Sequence, residues 1–131
     1  MSDAPPGGPD DGPDDLGEVA YWSDVYEDAL RRNDVHLLNG LFLDHPDVLR
    51  FGVGDEQHGY GELVAWRAGA PAVSPERRTT GRWIVALAPG AVAVDLTFAD
   101  DDRSIGRQSQ TWVRTDDGWR ITRAHVSIIP R

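Results

Sequence analysis

Residues 106–130 read GRQSQTWVRTDDGWRITRAHVSIIP, two stretches of alternating residues joined by the short segment Thr115-Asp116-Asp117-Gly118. A period of two is typical of β-strands, because successive side chains point to opposite faces of a sheet. A short connection that ends in Asp-Gly is typical of a tight turn between antiparallel strands. The stretch therefore predicts a long β-hairpin, and the rest of the fold is expected to be organised around it.

One face of this hairpin has an unusual content. Strict alternation places Gln108, Gln110 and Trp112 on one face of the first strand, and it places His125 and Ser127 together in the second. Polar groups on an otherwise buried sheet face are costly unless they find partners or line a pocket. We therefore predict that Gln108, Gln110 and His125 form part of the wall of a ligand pocket.

Three helices are predicted from apolar residues repeated at helical spacing. The first begins at an N-cap formed by Asp15 and places Tyr26 on its buried side. Asp34 can cap a second, short helix, and a third begins at Tyr60. The N-terminal half of the chain is thus predicted to be mainly helical.

The remaining stretches predict strands and turns. Residues 48–53 alternate as a strand that places Arg50 among apolar neighbours, and residues 54–59 are predicted to form a loop. Residues 82–88 and 91–99, joined by a Pro-Gly turn, complete four antiparallel strands with the hairpin. This order predicts a single α+β domain, residues 16–131, in which a curved antiparallel sheet wraps around the N-terminal helices.

Composition restricts the partners and the location of the protein. A net charge of −9 argues against a nucleic-acid partner and against binding to a membrane surface. No apolar run reaches the roughly 18 residues of a membrane-spanning helix, and the N-terminus has no signal-peptide pattern, so we expect a soluble cytoplasmic protein. Residues 1–15 are rich in Pro, Gly and Asp, and we predict a disordered acidic tail because they contain too little apolar surface to bury.

Composition also restricts the chemistry. The chain has no cysteine, which excludes disulfides, thiolate catalysis and cysteine-ligated metals. No segment resembles a phosphate-binding loop, and the histidines lack the paired spacing of metal ligands. We therefore expect neither a metal nor a cofactor. The four scattered histidines are His36, His45, His58 and His125.

Four segments carry a resemblance to a known family: RFGVG at 50–54, HGYGELVAWR at 58–67, GRQSQTWVR at 106–114 and GWRITRAHVS at 118–127. From about Val19 onward the chain resembles the AtzH-like group of the SnoaL-like (nuclear transport factor 2-like) superfamily, which includes the oxalurate catabolism protein HpxZ. The resemblance implies a cone-shaped α+β fold of cystatin-like topology with helices inside the curve of the sheet. It also implies a pocket at the mouth of the cone and homodimers formed through the sheets.

The resemblance also implies roles for individual residues. Tyr26 matches a tyrosine of the first helix and Arg50 an arginine before the RFG turn, both implied to be catalytic, while Arg67 matches an arginine of the third helix that would bind substrate. Two segments depart from the family pattern. Residues 57–60 read QHGY in place of LYGY, and residues 66–70 read WRAGA in place of FRAAR. The missing second arginine can change which acid is bound.

Each candidate residue also has a purely structural interpretation. Arg50 can be a surface arginine of an edge strand, Tyr26 a core aromatic with a satisfied hydroxyl, and His125 a buried histidine with a hydrogen-bond partner. A Ser-His-Asp triad of Ser127, His125 and Asp95 is disfavoured. Residues two apart on one strand point in parallel and seldom make the contact between nucleophile and base.

Two functions from different classes remain open. The resemblance implies a cofactor-free, decarboxylating amidohydrolase acting on a carboxylated urea or ureido acid in s-triazine or purine (oxalurate) catabolism. In that case Arg50, helped by Arg67, would hold the substrate carboxylate, and Tyr26 would transfer protons. The alternative is a non-catalytic binding or accessory protein that partners an amidase of the same pathway. The fold cannot decide between them, since one fold hosts many functions.

Overall fold

The structure is a computed structural model that describes residues 14–101 and 103–130. Most of the predicted acidic tail, residues 1–13, lies outside the described residues. Within the described ranges the predicted α+β order is confirmed, with the helices preceding most of a curved sheet. The elements are α1 (Asp15–Arg32), α2 (Val35–Gly40), β1 (Leu49–Phe51), β2 (Glu56–His58), α3 (Tyr60–Gly69), β3 (Arg78–Ala88), β4 (Ala91–Ala99), β5 (Ser104–Thr115) and β6 (Gly118–Pro130).

Aspartates start the first two helices. Asp14, rather than the predicted Asp15, is the N-cap of α1, and its carboxylate accepts a hydrogen bond from the backbone N–H of Gly17 at 3.0 Å. Asp15 lies in the first turn and pairs with Arg114 of β5. Asp14 and Asp15, which we predicted to be part of the tail, therefore belong to the fold. Asp34 caps α2 as predicted, by accepting from the N–H of Leu37. Each carboxylate satisfies a backbone donor that the helix itself leaves unpaired.

The six described strands form one sheet in the order β2-β1-β6-β5-β4-β3. The predicted hairpin is confirmed as β5 and β6, the two longest strands, which lie in the centre of the sheet. Two features differ from the prediction. The stretch predicted as the loop 54–59 contains β2, which pairs with β1 through Arg50 and Gln57. The strand β1 runs parallel to β6, so the sheet is mixed rather than wholly antiparallel.

A β-bulge in β6 changes which side chains of the hairpin share a face. Trp112 pairs with Ile121, but the preceding residue Thr111 pairs with Arg123, so Thr122 is an extra residue on β6. One inserted residue reverses the alternation beyond it. As a result Ala124 is buried towards the helices and His125 is exposed on the opposite face.

The core lies between the inner face of the sheet and the three helices. Trp112 and Ile121 are fully buried on the sheet side, and Val19 of α1 and Leu63 of α3 are fully buried on the helix side. Burying such large apolar side chains stabilises the fold by about 1.5 to 3 kcal/mol each. A few polar side chains share this buried face, and they surround the cavity described next.

Candidate functional site

A cavity of about 100 Å³ opens between the inner face of the sheet, α1, α3 and the segment that follows α3. Its volume restricts it to a small ligand, since a cavity of about 150 Å³ holds one benzene ring. Four of the six predicted site residues line it: Tyr26, Arg50, Arg67 and Gln108. The other lining residues are Leu30, Asn33, Leu38, Trp66, Ala70, Pro71, Val73, Arg77 and Val126.

The prediction that His125 lines this cavity is wrong. His125 is exposed on the outer face of the sheet, where it pairs with Ser109 and stacks edge-on against Phe51 with 5.6 Å between ring centroids. The bulge at Thr122 is the reason, because alternation counted through it assigns His125 to the wrong face. Asp95 also pairs with Ser109 and is exposed on that outer face.

Gln110 is buried on the inner face but does not line the cavity. Its side-chain oxygen accepts a hydrogen bond from the indole N–H of Trp112 at 3.1 Å. Its amide nitrogen is buried with no hydrogen-bond partner among the described residues. Gln110 therefore belongs to the core beneath the cavity rather than to its wall.

Arg50 is held in a three-membered polar cluster at the β1–β2 hairpin. Its Nη1 donates to Asp55 Oδ1 at 2.7 Å and to Gln57 Oε1 at 2.9 Å, while the Gln57 amide donates to the same Asp55 oxygen at 2.9 Å. The guanidinium also lies 4.0 Å from the centroid of the Trp66 ring. The positive charge of Arg50 is thus matched by the carboxylate of Asp55 before any ligand binds.

Arg77 is held in a second cluster of the same kind, an arginine with an acid and a glutamine, which we did not predict from the sequence. Its Nε and Nη2 donate to the two carboxylate oxygens of Glu27 at 2.9 and 3.3 Å, and Nη2 also donates to Gln108 at 3.2 Å. The Gln108 amide closes the cluster by donating to Glu27 at 3.0 Å. One feature of the sequence could have indicated this pair: Glu27 lies four residues after buried Ser23, on the apolar stripe of α1.

Arg67 has no such partner. It is 7% exposed, and its Nε and Nη2 are buried without any hydrogen-bond acceptor among the described residues. Its guanidinium lies beside two aromatic rings. The guanidinium carbon is 5.1 Å from the centroid of the Trp66 ring and 5.9 Å from that of the Phe42 ring. Leaving a buried cation unpaired is costly, so an unpaired arginine in a cavity wall indicates a site that an anion completes.

Tyr26 supplies a hydroxyl to the same cavity as these guanidinium groups. Its ring is buried and packs edge-on against Phe42, with 6.2 Å between centroids. Within residues 14–101 and 103–130 the Tyr26 hydroxyl makes no hydrogen bond, and it is therefore free to bind a ligand. Tyr26 is the one lining side chain among the described residues with a hydroxyl, since the others are apolar, aromatic, amide-bearing or arginine.

No group of three or more His, Asp or Glu side chains in the described part of the chain is arranged to hold a metal ion. Among the same residues, no helix is long and apolar enough to cross a membrane.

Known proteins share both the sequence pattern and the fold. A family model described as AtzH-like matches residues 10–131. A cystatin-like fold protein of Burkholderia xenovorans is 34% identical, over 91% of this chain and 95% of that one, with a TM-score of 0.86. A protein of unknown function from Pectobacterium atrosepticum is 35% identical, over 92% and 97% of the two chains, with a TM-score of 0.84.

A more distant likeness extends to a wider group of structures. A nuclear transport factor 2-like superfamily protein of Salmonella enterica has a TM-score of 0.71 at 18% identity, over 86% of this chain and 89% of that one. Together with the cystatin-like neighbour, it confirms the predicted cystatin-like, nuclear transport factor 2-like fold. No curated protein matches the chain significantly.

Proposed function

The chain belongs to the AtzH-like family, and from this premise we propose that its cavity binds a small carboxylated urea or ureido acid, which the protein hydrolyses without a cofactor. The proposed substrates are acids of s-triazine or purine catabolism. Oxalurate, the acid associated with the group that includes HpxZ, is one of them. The observation that carries the proposal is the buried, unpartnered guanidinium of Arg67 in the cavity wall.

The proposal assigns the substrate carboxylate to Arg67. A guanidinium presents two parallel N–H groups that match the two oxygens of a carboxylate, and Nε and Nη2 of Arg67 both lack an acceptor among the described residues. Arg50, which we predicted from the sequence as the main anchor, already bonds Asp55 and Gln57 through Nη1. Its proposed role is therefore to help orient the ligand beside Trp66.

Tyr26 is the proposed proton-transfer group. Water adds to the urea carbonyl carbon and the bond to the leaving nitrogen breaks. The phenol gives its proton to that nitrogen and regains one from the attacking water, so that it ends the step unchanged. The carbamate that forms then loses carbon dioxide. Arg50, beside Trp66 in the cavity wall, is the proposed hydrogen-bond donor to the carbonyl oxygen as negative charge develops there. Stabilisation of this electrostatic kind contributes most in many enzymes.

One observation favours the alternative, a binding or accessory protein that partners an amidase. Among the described residues the lining contains no histidine, serine or carboxylate, and the acids bonded to its arginines, Glu27 and Asp55, are already paired. Hydrolysis would therefore rest on a single phenol. A pure binding protein would need only Arg67 and its neighbours.

Tyr26→Phe separates the two functions, because it keeps the ring against Phe42 and deletes only the hydroxyl. If the phenol transfers a proton, turnover of a ureido acid should fall by about 100-fold or more. Ligand affinity, measured by calorimetry, should change much less. Wild-type protein that binds the acid but shows no turnover by ammonia release would establish the binding function instead.

We also propose a homodimer formed through the outer face of the sheet. Strict alternation along residues 118–130 predicts that Ala124, Val126 and Ile128 lie on that face, but Ala124 is buried and Val126 lines the cavity. The apolar residues exposed on the outer face lie instead on β3. These side chains, each more than half exposed, are Trp83, Val85 and Leu87.

A further inference from the structure

The clusters around the cavity leave one positive charge uncompensated. Three guanidinium groups line the cavity, and two carboxylates are bonded to them: Asp55 to Arg50 and Glu27 to Arg77. The remaining lining side chains carry no formal charge at neutral pH. The excess of one positive charge therefore resides on Arg67.

We infer that the site selects singly charged acids, which present one carboxylate to Arg67 and an uncharged amide or urea group to the rest of the cavity. This inference rests on the proposed function and deepens it, because it specifies the charge of the ligand and the nature of its second end.

The pairing of the other two arginines is built into the fold. Each guanidinium also stacks on an aromatic ring, Arg50 on Trp66 at 4.0 Å and Arg77 on Phe98 at 3.6 Å. Two glycines make room for the two clusters. A Cβ at Gly52 would overlap the Asp55 carboxylate that bonds Arg50, and a Cβ at Gly106 would overlap the Phe98 ring that stacks on Arg77.

The Glu27 pair is also the more deeply buried of the two. The side chains of Glu27 and Arg77 are each 5% exposed, against 12% for Arg50 and 34% for Asp55. Freeing Arg77 for a ligand would leave a buried carboxylate without its partner, which is strongly unfavourable. Neither cluster is thus expected to release its arginine to a second carboxylate.

A doubly charged acid would place its second carboxylate beside arginines that Asp55 and Glu27 already neutralise. An amide or urea at the same position carries no net charge and needs only hydrogen bonds. The Tyr26 hydroxyl can donate to its carbonyl oxygen or accept from its N–H. The cavity wall also contains the apolar side chains of Leu30 and Val126, which disfavour an ion.

Oxamate and oxalate test the inference directly, because they have nearly the same size. Oxamate has an amide where oxalate has its second carboxylate. Calorimetric titration of the full chain at neutral pH should show oxamate binding about tenfold more tightly than oxalate, or better. Oxalate binding equally well or more tightly would overturn the charge rule while leaving the carboxylate site in place. Failure of both acids to bind would overturn the carboxylate site itself, and the charge rule with it.

Asp55→Asn supplies a matched change of charge, since it removes the acid that neutralises Arg50 at a partly exposed position. The ratio of oxalate to oxamate affinity should rise by about tenfold in this variant. Asp24→Asn is the control, because Asp24 pairs with Arg82 and neither residue lines the cavity. An unchanged ratio in folded Asp55→Asn protein, or the same rise in Asp24→Asn, would contradict the inference.

Discussion

The guanidinium of Arg77 and the carboxylate of Glu27 form two hydrogen bonds, at 2.9 and 3.3 Å, between residues 50 positions apart in the chain. This ion pair joins the middle of α1 to the residue just before β3, and Gln108 extends it to β5. It therefore fixes one wall of the cavity and fully occupies one arginine. Arg67 differs from Arg77 in that it has no acidic partner among the described residues.

Glu27→Gln is expected to lower the free energy of unfolding by about 3 to 5 kcal/mol, because it leaves the charge of Arg77 buried without a counter-ion. Urea-induced unfolding measures this change. Asp24→Asn on the same helix is the control. It breaks the pair with Arg82, in which Asp24 is 73% exposed, and should cost less than about 1 kcal/mol. Equal effects in the two variants would show that the Glu27 pair has no special weight.

Gly106→Ala is expected to destabilise the protein by about 1 to 3 kcal/mol, because the added methyl group would overlap the ring of Phe98. Displacing that ring also disturbs its stacking with Arg77, so oxamate affinity should fall. Gly61→Ala in α3 serves as the comparison, since no atom lies within 4 Å of the added carbon. Its helix propensity should raise the melting temperature. A stabilising Gly106→Ala would contradict the packing.

His125→Ala and Gln108→Leu should differ in their effect on ligand binding. His125 lies on the outer face of the sheet, so its removal should leave oxamate affinity within about twofold of wild type, the size of a few tenths of a kcal/mol. Gln108→Leu deletes hydrogen bonds to Arg77 and Glu27 and should weaken binding by about tenfold or more. Calorimetry on both variants measures this, and the reverse order would mean that the ligand binds on the outer face.

Trp83→Asp is expected to convert the proposed dimer into a monomer, because a charge would replace the largest exposed aromatic side chain of β3. Light scattering at micromolar concentration should give twice the chain mass for wild type and the single chain mass for the variant. Val53→Asp, at an exposed apolar residue outside the sheet, should leave the mass at that of the dimer. A monomeric wild type would remove the basis for this assembly.

Much of the local structure was readable in the chain. The alternation and the Asp117-Gly118 turn predicted the β5–β6 hairpin, and helical spacing together with Asp34 predicted the helices. The inward direction of Tyr26 followed from the same period. The family resemblance implied that Arg50 and Arg67 share a pocket with it, and all three line one cavity. The predictions of local structure succeeded because each depends on residues within a few positions of one another, where secondary structure sets the geometry.

Tertiary structure alone decided the face of His125 and the charge state of the cavity. The bulge at Thr122 inserts one residue into β6 and reverses every side chain beyond it, and a strict period of two has no means of showing where such an insertion falls. Whether Arg50, Arg67 or Arg77 is free depends on acids that the fold brings close from other elements, as with Glu27. A guanidinium has the same charge in every sequence, and only its neighbours in space determine whether that charge is left for a ligand.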